Sequence, residues 1–545
     1  MAEGRVRTTE IKQTGRRFSP RSRCKKPSLF LLLGLLLPAS RLVFPAECPS
    51  RLENQILKLI GQPKLETGFW GIQVVSVKDG RVLFSLNDAK HFLPASNMKL
   101  IVGAAALDRL GAAYQFETPV YSRGRIDSNG RLLGELVLVG RGDPNLEGRV
   151  YDPEPEIMPK AVSPLFIEQI ADRIASRGIR IVQGDIVGDD TCFLYEPYAP
   201  AWEHADLLWG YGAPASALAV NENVFTVEVS PGDTVGDPAV IKLIPSVVGI
   251  SPVNNVKTVE KSRPNSIGID HGPDRGAWII QGELPKDHAK LDYTLAVEDP
   301  AEFAASLLKS ALEQRGIRVT GKSRARHLYP LEALEEGKPS TERAKSLQSR
   351  FLPEQKLTSH ESVKLIETVK IMMKMSHNLY AELLLRKLGE EFTGIGSIET
   401  GVAAVKAFLE KTGTSQEEMN ISDGSGMSRT DLITPRSIVR LLLYMERHPE
   451  AKLFEDTLPV SGLDGTLEHR MKKPSARGHI HAKTGTSAFV NTLSGYAYTR
   501  NDETLAFSIM VNNLTLPAQE IRGVVDQICA LMTDYDCKKD AANHD

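Results

Sequence analysis

At 545 residues the chain exceeds one ordinary domain, so two or three compact units are expected. A net charge of −2 and 41% hydrophobic residues describe a folded protein, and beyond the first 26 residues no segment concentrates basic charge. That balance argues against a nucleic-acid partner, which would need a basic stripe or patch.

Residues 1–26 are rich in Arg and Lys, and an apolar run follows from Leu29 to Leu37, interrupted only by Gly34. The run is too short to cross a bilayer, which needs about 20 residues. A basic lead, a short apolar core and small residues near Pro38-Ala39-Ser40 or Ala46 match a secretory signal. Residues 1–46 are therefore read as a leader, and the mature protein as extracytoplasmic, periplasmic or secreted. Cys24 falls in that leader, which leaves Cys48, Cys192, Cys529 and Cys537, an even number that suits an oxidising compartment. A disulfide from Cys48 to Cys529 or Cys537 requires the two chain ends to pack together. No CxxC pair or Cys/His cluster has zinc spacing, so no metal is expected.

Apolar residues at helical spacing over Pro49–Ile60 (Leu52, Ile56, Leu57, Ile60) predict a first helix. Phe69–Val77 and Val82–Leu86, joined at Asp79-Gly80, read as two antiparallel strands. Pro94-Ala95-Ser96 then opens an Ala- and Leu-rich helix, Met98–Leu110, that stops at Gly111, with Ser96 expected in its first turn. From about Tyr114 to Arg350 short strands recur between Gly, Asp and Pro turns: Leu136–Val139, Asp185–Val187, Val224–Val229, Val240–Ile244 and Ala277–Gln281. Two helices interrupt them, Pro164–Arg177 and Pro300–Arg315, and the charged, poorly patterned stretch from Ala325 to Arg350 reads as a linker. Helical spacing returns with Val363, Ile366, Val369 and Met373, then Leu379–Leu388 and Val402–Lys411. Ile480–Ala482 is extended, Leu493–Tyr498 and Leu505–Val511 form a hairpin, and Pro517–Met532 closes as a helix. One αβα domain assembled from both chain ends, residues 47–117 and 351–545, would thus enclose a β-rich insertion at 118–350 of one or two small domains.

Three short motifs carry the chemistry: Ser96-Asn97-Met98-Lys99, Ser376-His377-Asn378 and Lys483-Thr484-Gly485. On a helix, residues three apart are neighbours at about 5 Å, so Lys99 can take the Ser96 proton if burial keeps the amine partly neutral. Each motif has a decoy, and context separates them. Ser22-Arg23-Cys24-Lys25 lies in the leader, and Ser306-Leu307-Leu308-Lys309 sits inside a helix with no strands before it. Lys411-Thr412-Gly413-Thr414-Ser415 repeats the letters of Lys483–Ser487, but there Gly413 ends a helix. The second copy follows an extended segment and offers the Thr486 N–H as an oxyanion donor. Ser85-Leu86-Asn87 precedes the nucleophile and is excluded by order. His377 reads as a spacer that points away from the chemistry, and His479 and His481 as strand surface rather than metal ligands.

The three motifs in this order, with 276 positions between Lys99 and Ser376, resemble the D-alanyl-D-alanine carboxypeptidase/endopeptidase type, the low-molecular-mass class C penicillin-binding proteins. Further stretches agree: Gly140-Arg141-Gly142-Asp143-Pro144, Ser216-Ala217-Leu218 with Asn221 and Asn223, Asp423-Gly424-Ser425-Gly426, Asp464-Gly465-Thr466-Leu467 and Leu493-Ser494-Gly495-Tyr496. The likeness spans roughly residues 50–535. His377 is a departure, since many relatives carry Asp or Asn at that place. The resemblance implies an α/β fold of the serine β-lactamase/transpeptidase type, an αβα sandwich on an antiparallel sheet. It implies cleavage of peptidoglycan stem peptides ending in D-Ala-D-Ala, covalent inhibition by β-lactams, and no metal or organic cofactor. It makes Ser96 the nucleophile, Lys99 the base and Ser376 a proton relay. Asn378, Lys483, Thr484, Gly485 and Thr486 would bind substrate, and peripheral contact with membrane or wall is compatible. A β-lactamase or esterase on the same fold, or a catalytically silent wall-binding protein, are the alternative readings.

Overall fold

The computed structural model describes residues 51–152, 164–246, 250–272, 276–330 and 355–536. The expected leader, Cys48, Cys537 and positions 331–350 of the expected linker lie outside the described residues. Among those described, no helix is long and apolar enough to cross a membrane.

The central sheet has five antiparallel strands in the order Ile480–Ser487, Val490–Tyr498, Thr504–Asn512, Phe69–Ser76, Val82–Leu86. Its middle strand therefore joins the two ends of the chain, with Phe69 opposite Asn512 and Ser76 opposite Leu505. Side chains alternate between the faces, and both faces are covered. Leu505, Phe507, Ile509 and Val511 pack with Ile72 and Val74 against helices Arg51–Ile60 and Ala518–Thr533. On the opposite face Ala506, Met510, Val75 and Tyr496 meet an all-helical lobe. That lobe comprises Met98–Leu110, Leu365–Lys374, Asn378–Thr393, Ile398–Lys411, Pro435–Glu446 and Ala451–Asp456. The arrangement is the expected α/β sandwich on an antiparallel sheet.

Between the sequence halves stands a second, mixed sheet of seven strands. Its path runs Arg318–Val319, Ile181–Val182, Arg131–Val139, Glu117–Ile126, Gln355–Glu361, with Ile186–Leu194 and Ser323–Leu328 paired off that path. Helices Leu165–Ser176 and Pro300–Gln314 share its core through Ile167, Ile170, Phe303 and Leu308. Two three-stranded sheets adjoin it: Leu291–Ala296, Val224–Ser230 and Val240–Ile244, and Gly268–His271, Ala277–Pro285 and Ser251–Val259. The buried Trp278 meets Phe225 edge-on across these small sheets at 5.3 Å.

Two local expectations need correction. Ala325–Leu328, read as linker, completes a strand that pairs in parallel with Ile186–Leu194, and Arg324 and Arg326 there ion-pair with Glu135, Asp185 and Asp189. Arg326, taken for solvated linker, is a cross-strand partner of Asp189. Ser96 sits not in the first turn of its α-helix but in a 3-10 turn, Ala95–Asn97, that leads into Met98–Leu110. Ala95 adopts φ +45° there, a left-handed conformation that bends the chain sharply between strand and helix.

Candidate active site

The turn that carries Ser96 rests on a polar patch of an otherwise apolar sheet. Thr492 Oγ1 donates to the Pro94 carbonyl at 2.9 Å, and Asn97 Nδ2 donates to Ser494 Oγ at 2.7 Å. Ser494 Oγ in turn donates to Ser508 Oγ at 2.9 Å. Gly485 completes the floor, since a Cβ there would lie 2.9 Å from the Pro94 carbonyl oxygen and 3.0 Å from the Ser96 nitrogen. Only glycine lets the Ile480–Ser487 strand approach the turn this closely.

Lys99 is fully buried one helical turn from Ser96, and its ammonium makes three hydrogen bonds. It donates to Ser96 Oγ at 2.9 Å, to Asn378 Oδ1 at 2.7 Å and to the Ser425 carbonyl at 2.7 Å. Burial pushes the amine down to about 7 although the charges of Asp423 and Glu382 pull it back up. The amine is thus held within reach of the hydroxyl and close to neutrality.

The second motif bridges two helices. Ser376 lies in the break between Leu365–Lys374 and Asn378–Thr393 with φ +60°. Its hydroxyl accepts from Lys483 Nζ at 2.9 Å, while Lys483 also donates to the Thr484 carbonyl at 2.9 Å. Strand alternation turns His481, Lys483 and Gly485 toward the helical lobe, whereas Ile480 and Ala482 enter the core on the other face. Lys483 is completely buried, and burial, reinforced by the charge of Lys99, drives it well below the ordinary lysine range. Thr484 Oγ1 donates to Thr466 Oγ1 at 2.8 Å, and Thr486 Oγ1 accepts from Arg522 at 3.3 Å.

The structure therefore brings Ser96, Lys99 and Asn378 into one hydrogen-bonded group and joins Ser376 to Lys483 in a second. The decoys stay apart. Ser306 Oγ donates to the Phe303 carbonyl of its own helix, and Lys309 reaches the Gly321 carbonyl. Gly413 caps the Ile398–Lys411 helix with φ +87°. His481 Nδ1 lies 2.7 Å from Glu455 Oε1, and Cys529 is buried in the core beneath the central sheet.

Several members of the site carry no motif letter. The Ser425 carbonyl that receives Lys99 belongs to the turn Asp423–Gly426, tied from both sides. Glu382 accepts the Gly424 and Ser425 N–H groups at 2.9 Å, and Asp423 accepts those of Gly426 and Ser428 at 2.7 Å. Gly426 has φ +82°, and a Cβ there would meet the Ala95 carbonyl oxygen at 1.8 Å. Residues from the middle of the chain close the cleft: Asn378 Nδ2 donates to the Tyr211 carbonyl at 2.9 Å, and Trp202 Nε1 donates to Asp423 at 2.9 Å. Behind Ser376, Lys374 is buried against Asp464 at 2.6 Å, and the Gly465 N–H donates to the Tyr151 hydroxyl at 2.8 Å.

Residues 52–327 and 337–535 match the family described as D-Ala-D-Ala carboxypeptidase 3 (S13). A D-alanyl-D-alanine carboxypeptidase of Actinomadura sp. (strain R39) is 32% identical over 537 residues, which cover 96% of this chain and 92% of that protein. The crystal structure of penicillin binding protein 4 from Haemophilus influenzae superposes with a TM-score of 0.72 at 25% identity, covering 87% of this chain and 97% of that one. The same protein complexed with a β-lactam superposes with a TM-score of 0.67 at 24% identity, over 87% of this chain and 98% of that one.

Proposed function

The chain belongs to the D-Ala-D-Ala carboxypeptidase 3 (S13) family, and from that premise we infer that Ser96 is the nucleophile of this serine-type D-Ala-D-Ala carboxypeptidase. The observation that carries the assignment is the Lys99 ammonium, bound at once to Ser96 Oγ, Asn378 and the Ser425 carbonyl. Neutral Lys99 accepts the Ser96 proton as Oγ bonds to the carbonyl carbon of the penultimate D-Ala. The Ser96 and Thr486 N–H groups receive the oxyanion. Collapse breaks the C–N bond, and the proton reaches the leaving amine of the terminal D-Ala through the Ser376 hydroxyl and Lys483. Water then adds to the ester with Lys99 again as base, which releases the shortened peptide and restores Ser96. Asn378 holds the substrate amide, and Lys483 and Thr484 receive the terminal carboxylate.

The same attack opens a β-lactam ring, so β-lactams acylate Ser96, and a D-alanyl cross-link has the same bond to offer an endopeptidase. A peptidoglycan substrate calls for an enzyme that works outside the cytoplasm, in the periplasm or secreted. In this reading residues 47–117 and 351–545 supply the peptidase domain and 118–350 the insertion that walls its cleft, with Gln355–Glu361 lent to the insertion's sheet opposite Glu117–Ile126. The test is covalent labelling with a fluorescent penicillin. Wild-type protein should label and Ser96→Ala should not. Labelling that survives in Ser96→Ala overturns the assignment, and rapid loss of the label would favour a β-lactamase.

A further inference from the structure

His377 separates the two functional residues of the second motif, yet it has no contact with Ser96 or Lys99. Its backbone N–H donates to the Met372 carbonyl at 3.1 Å and closes the preceding helix. Its ring lies against Tyr380, with centroids 4.3 Å apart and planes tilted by 37°, and Nε2 lies 3.1 Å from Glu222 Oε2. Glu222 comes from the middle of the chain, 155 positions before His377, inside the stretch Asn221–Asn223. All three residues of that stretch have positive φ (51°, 56° and 58°), a run that non-glycine residues rarely adopt. Asn221 Nδ2 and Asn223 Nδ2 donate to the Val224 and Pro214 carbonyls at 2.7 and 2.8 Å, which leaves the Glu222 side chain directed at His377.

The carboxylate is itself braced. Arg149 Nη1 lies 2.7 Å from Glu222 Oε1, and the Tyr380 hydroxyl donates to that oxygen at 3.4 Å. Arg149 sits in a loop closed by Asn145, whose side chain bonds both the Arg149 N–H and its carbonyl at 2.9 and 2.8 Å. Burial alone would raise Glu222, but the charges of His377 and Arg149 and the bonds from His377 and Tyr380 outweigh it and hold the carboxyl at about 2. The carboxylate is therefore charged throughout the working range.

The left-handed backbone at Ser376 persists only if its surroundings over-determine it. Two residues before it, Lys374 is fixed to Asp464, and on the other side its neighbour His377 is fixed by Glu222. We propose that Glu222 is a positioning residue supplied by the inserted region, which holds His377 and through it sets the Ser376 hydroxyl on Lys483 and the Asn378 amide on Lys99. The proposal rests on the assignment of Ser376 and Asn378 to the catalytic cleft. It also gives the histidine of this motif a partner, and makes the inserted region part of the catalytic geometry.

The test compares wild type with Glu222→Ala, Glu222→Gln, His377→Asn and the double variant Glu222→Gln/His377→Asn. Each is measured for kcat and KM on a D-Ala-D-Ala peptide, for the acylation rate with a fluorescent penicillin, and for thermal midpoint. Glu222→Ala should lower kcat and acylation about tenfold or more with KM changed less than about threefold, because orientation rather than binding is lost. Glu222→Gln, which still accepts from His377, should recover part of the rate, and in the His377→Asn background it should have no further effect. Should Glu222→Ala fail to fold, the glutamine variant and its cycle with His377→Asn give the answer. Wild-type rates in the Glu222 variants, or an equal loss with and without His377, would overturn the proposal. Ser96→Ala, run alongside, separates that failure from failure of the site itself: it loses all labelling if the site is right, whatever the Glu222 variants do.

Discussion

The neutral fraction of Lys99 should set the pH dependence of acylation. The amine lies 2.9 Å from Ser96 Oγ and is held at about 7 by burial, opposed by the charges of Asp423 and Glu382. A base acts in its unprotonated form, so the rate must rise with pH. With a midpoint near 7, the neutral fraction goes from about a tenth at pH 6 to about nine-tenths at pH 8, so acylation should accelerate roughly tenfold across that interval and level off above it. Lys99→Arg is the matching perturbation, because guanidinium cannot give up its proton in this range. It should slow acylation by roughly 10²–10⁴, the usual worth of a positioned base, and flatten the profile. The assay is stopped-flow acylation with a chromogenic cephalosporin from pH 5.5 to about 9, well inside the range where serine itself stays protonated. A rate independent of pH between about 6 and 8, or a Lys99→Arg protein within threefold of wild type, would refute the role given to this lysine.

Lys483 makes a separate prediction. Burial and the nearby Lys99 charge depress it, and an arriving carboxylate supplies a counter-charge and raises it again. Binding of an anionic peptide to Ser96→Ala should therefore take up protons at neutral pH, seen as binding enthalpies that vary with the ionisation enthalpy of the buffer; identical enthalpies would refute it. Gly426→Ala would push a methyl to within 1.8 Å of the Ala95 carbonyl at a left-handed backbone position. It should destabilise the fold by about 2 kcal/mol or more and depress acylation at least about 100-fold, checked by thermal melts and penicillin labelling.

Much of this site was legible in the letters. The helix Met98–Leu110 and the strand pair Phe69–Ser76 and Val82–Leu86 carry strong local signals, and local context, with chain order for Ser85-Leu86-Asn87, removed the decoys. The parts whose roles the letters do not show act through backbone or through distance. The Ser425 carbonyl has no side-chain signature, and its place beside Lys99 depends on Glu382 and Asp423 arriving from two elements. Glu222 looks like an ordinary surface acid until the fold sets it against His377. In the insertion, Glu117–Ile126 and Ser251–Val259 are too polar to announce themselves as strands, and pairing with Arg131–Val139 and Ala277–Pro285 supplies what propensity lacks. The helix Pro435–Glu446 went unread although Thr434 accepts the Ser437 N–H and Pro435 takes the first helical position, a start signal the hydrophobic period alone does not reveal.

The junction of the chain ends in the central sheet has a consequence for how the molecule is made. Ser76 bonds to Glu503, 427 positions later. At a synthesis rate of about 5–20 residues per second, roughly 20–90 s separate the appearance of the two partners. Until then Phe69–Ser76, buried at every position after its first, has only the Val82–Leu86 strand beside it, and a lone hairpin is marginal in water. The helix Met98–Leu110 emerges long before Thr504–Asn512, so the sheet beneath it closes late. A chain that stops short of Thr504–Asn512 would contain Ser96, Lys99, Ser376 and Lys483 and still lack the central strand of the floor on which they meet.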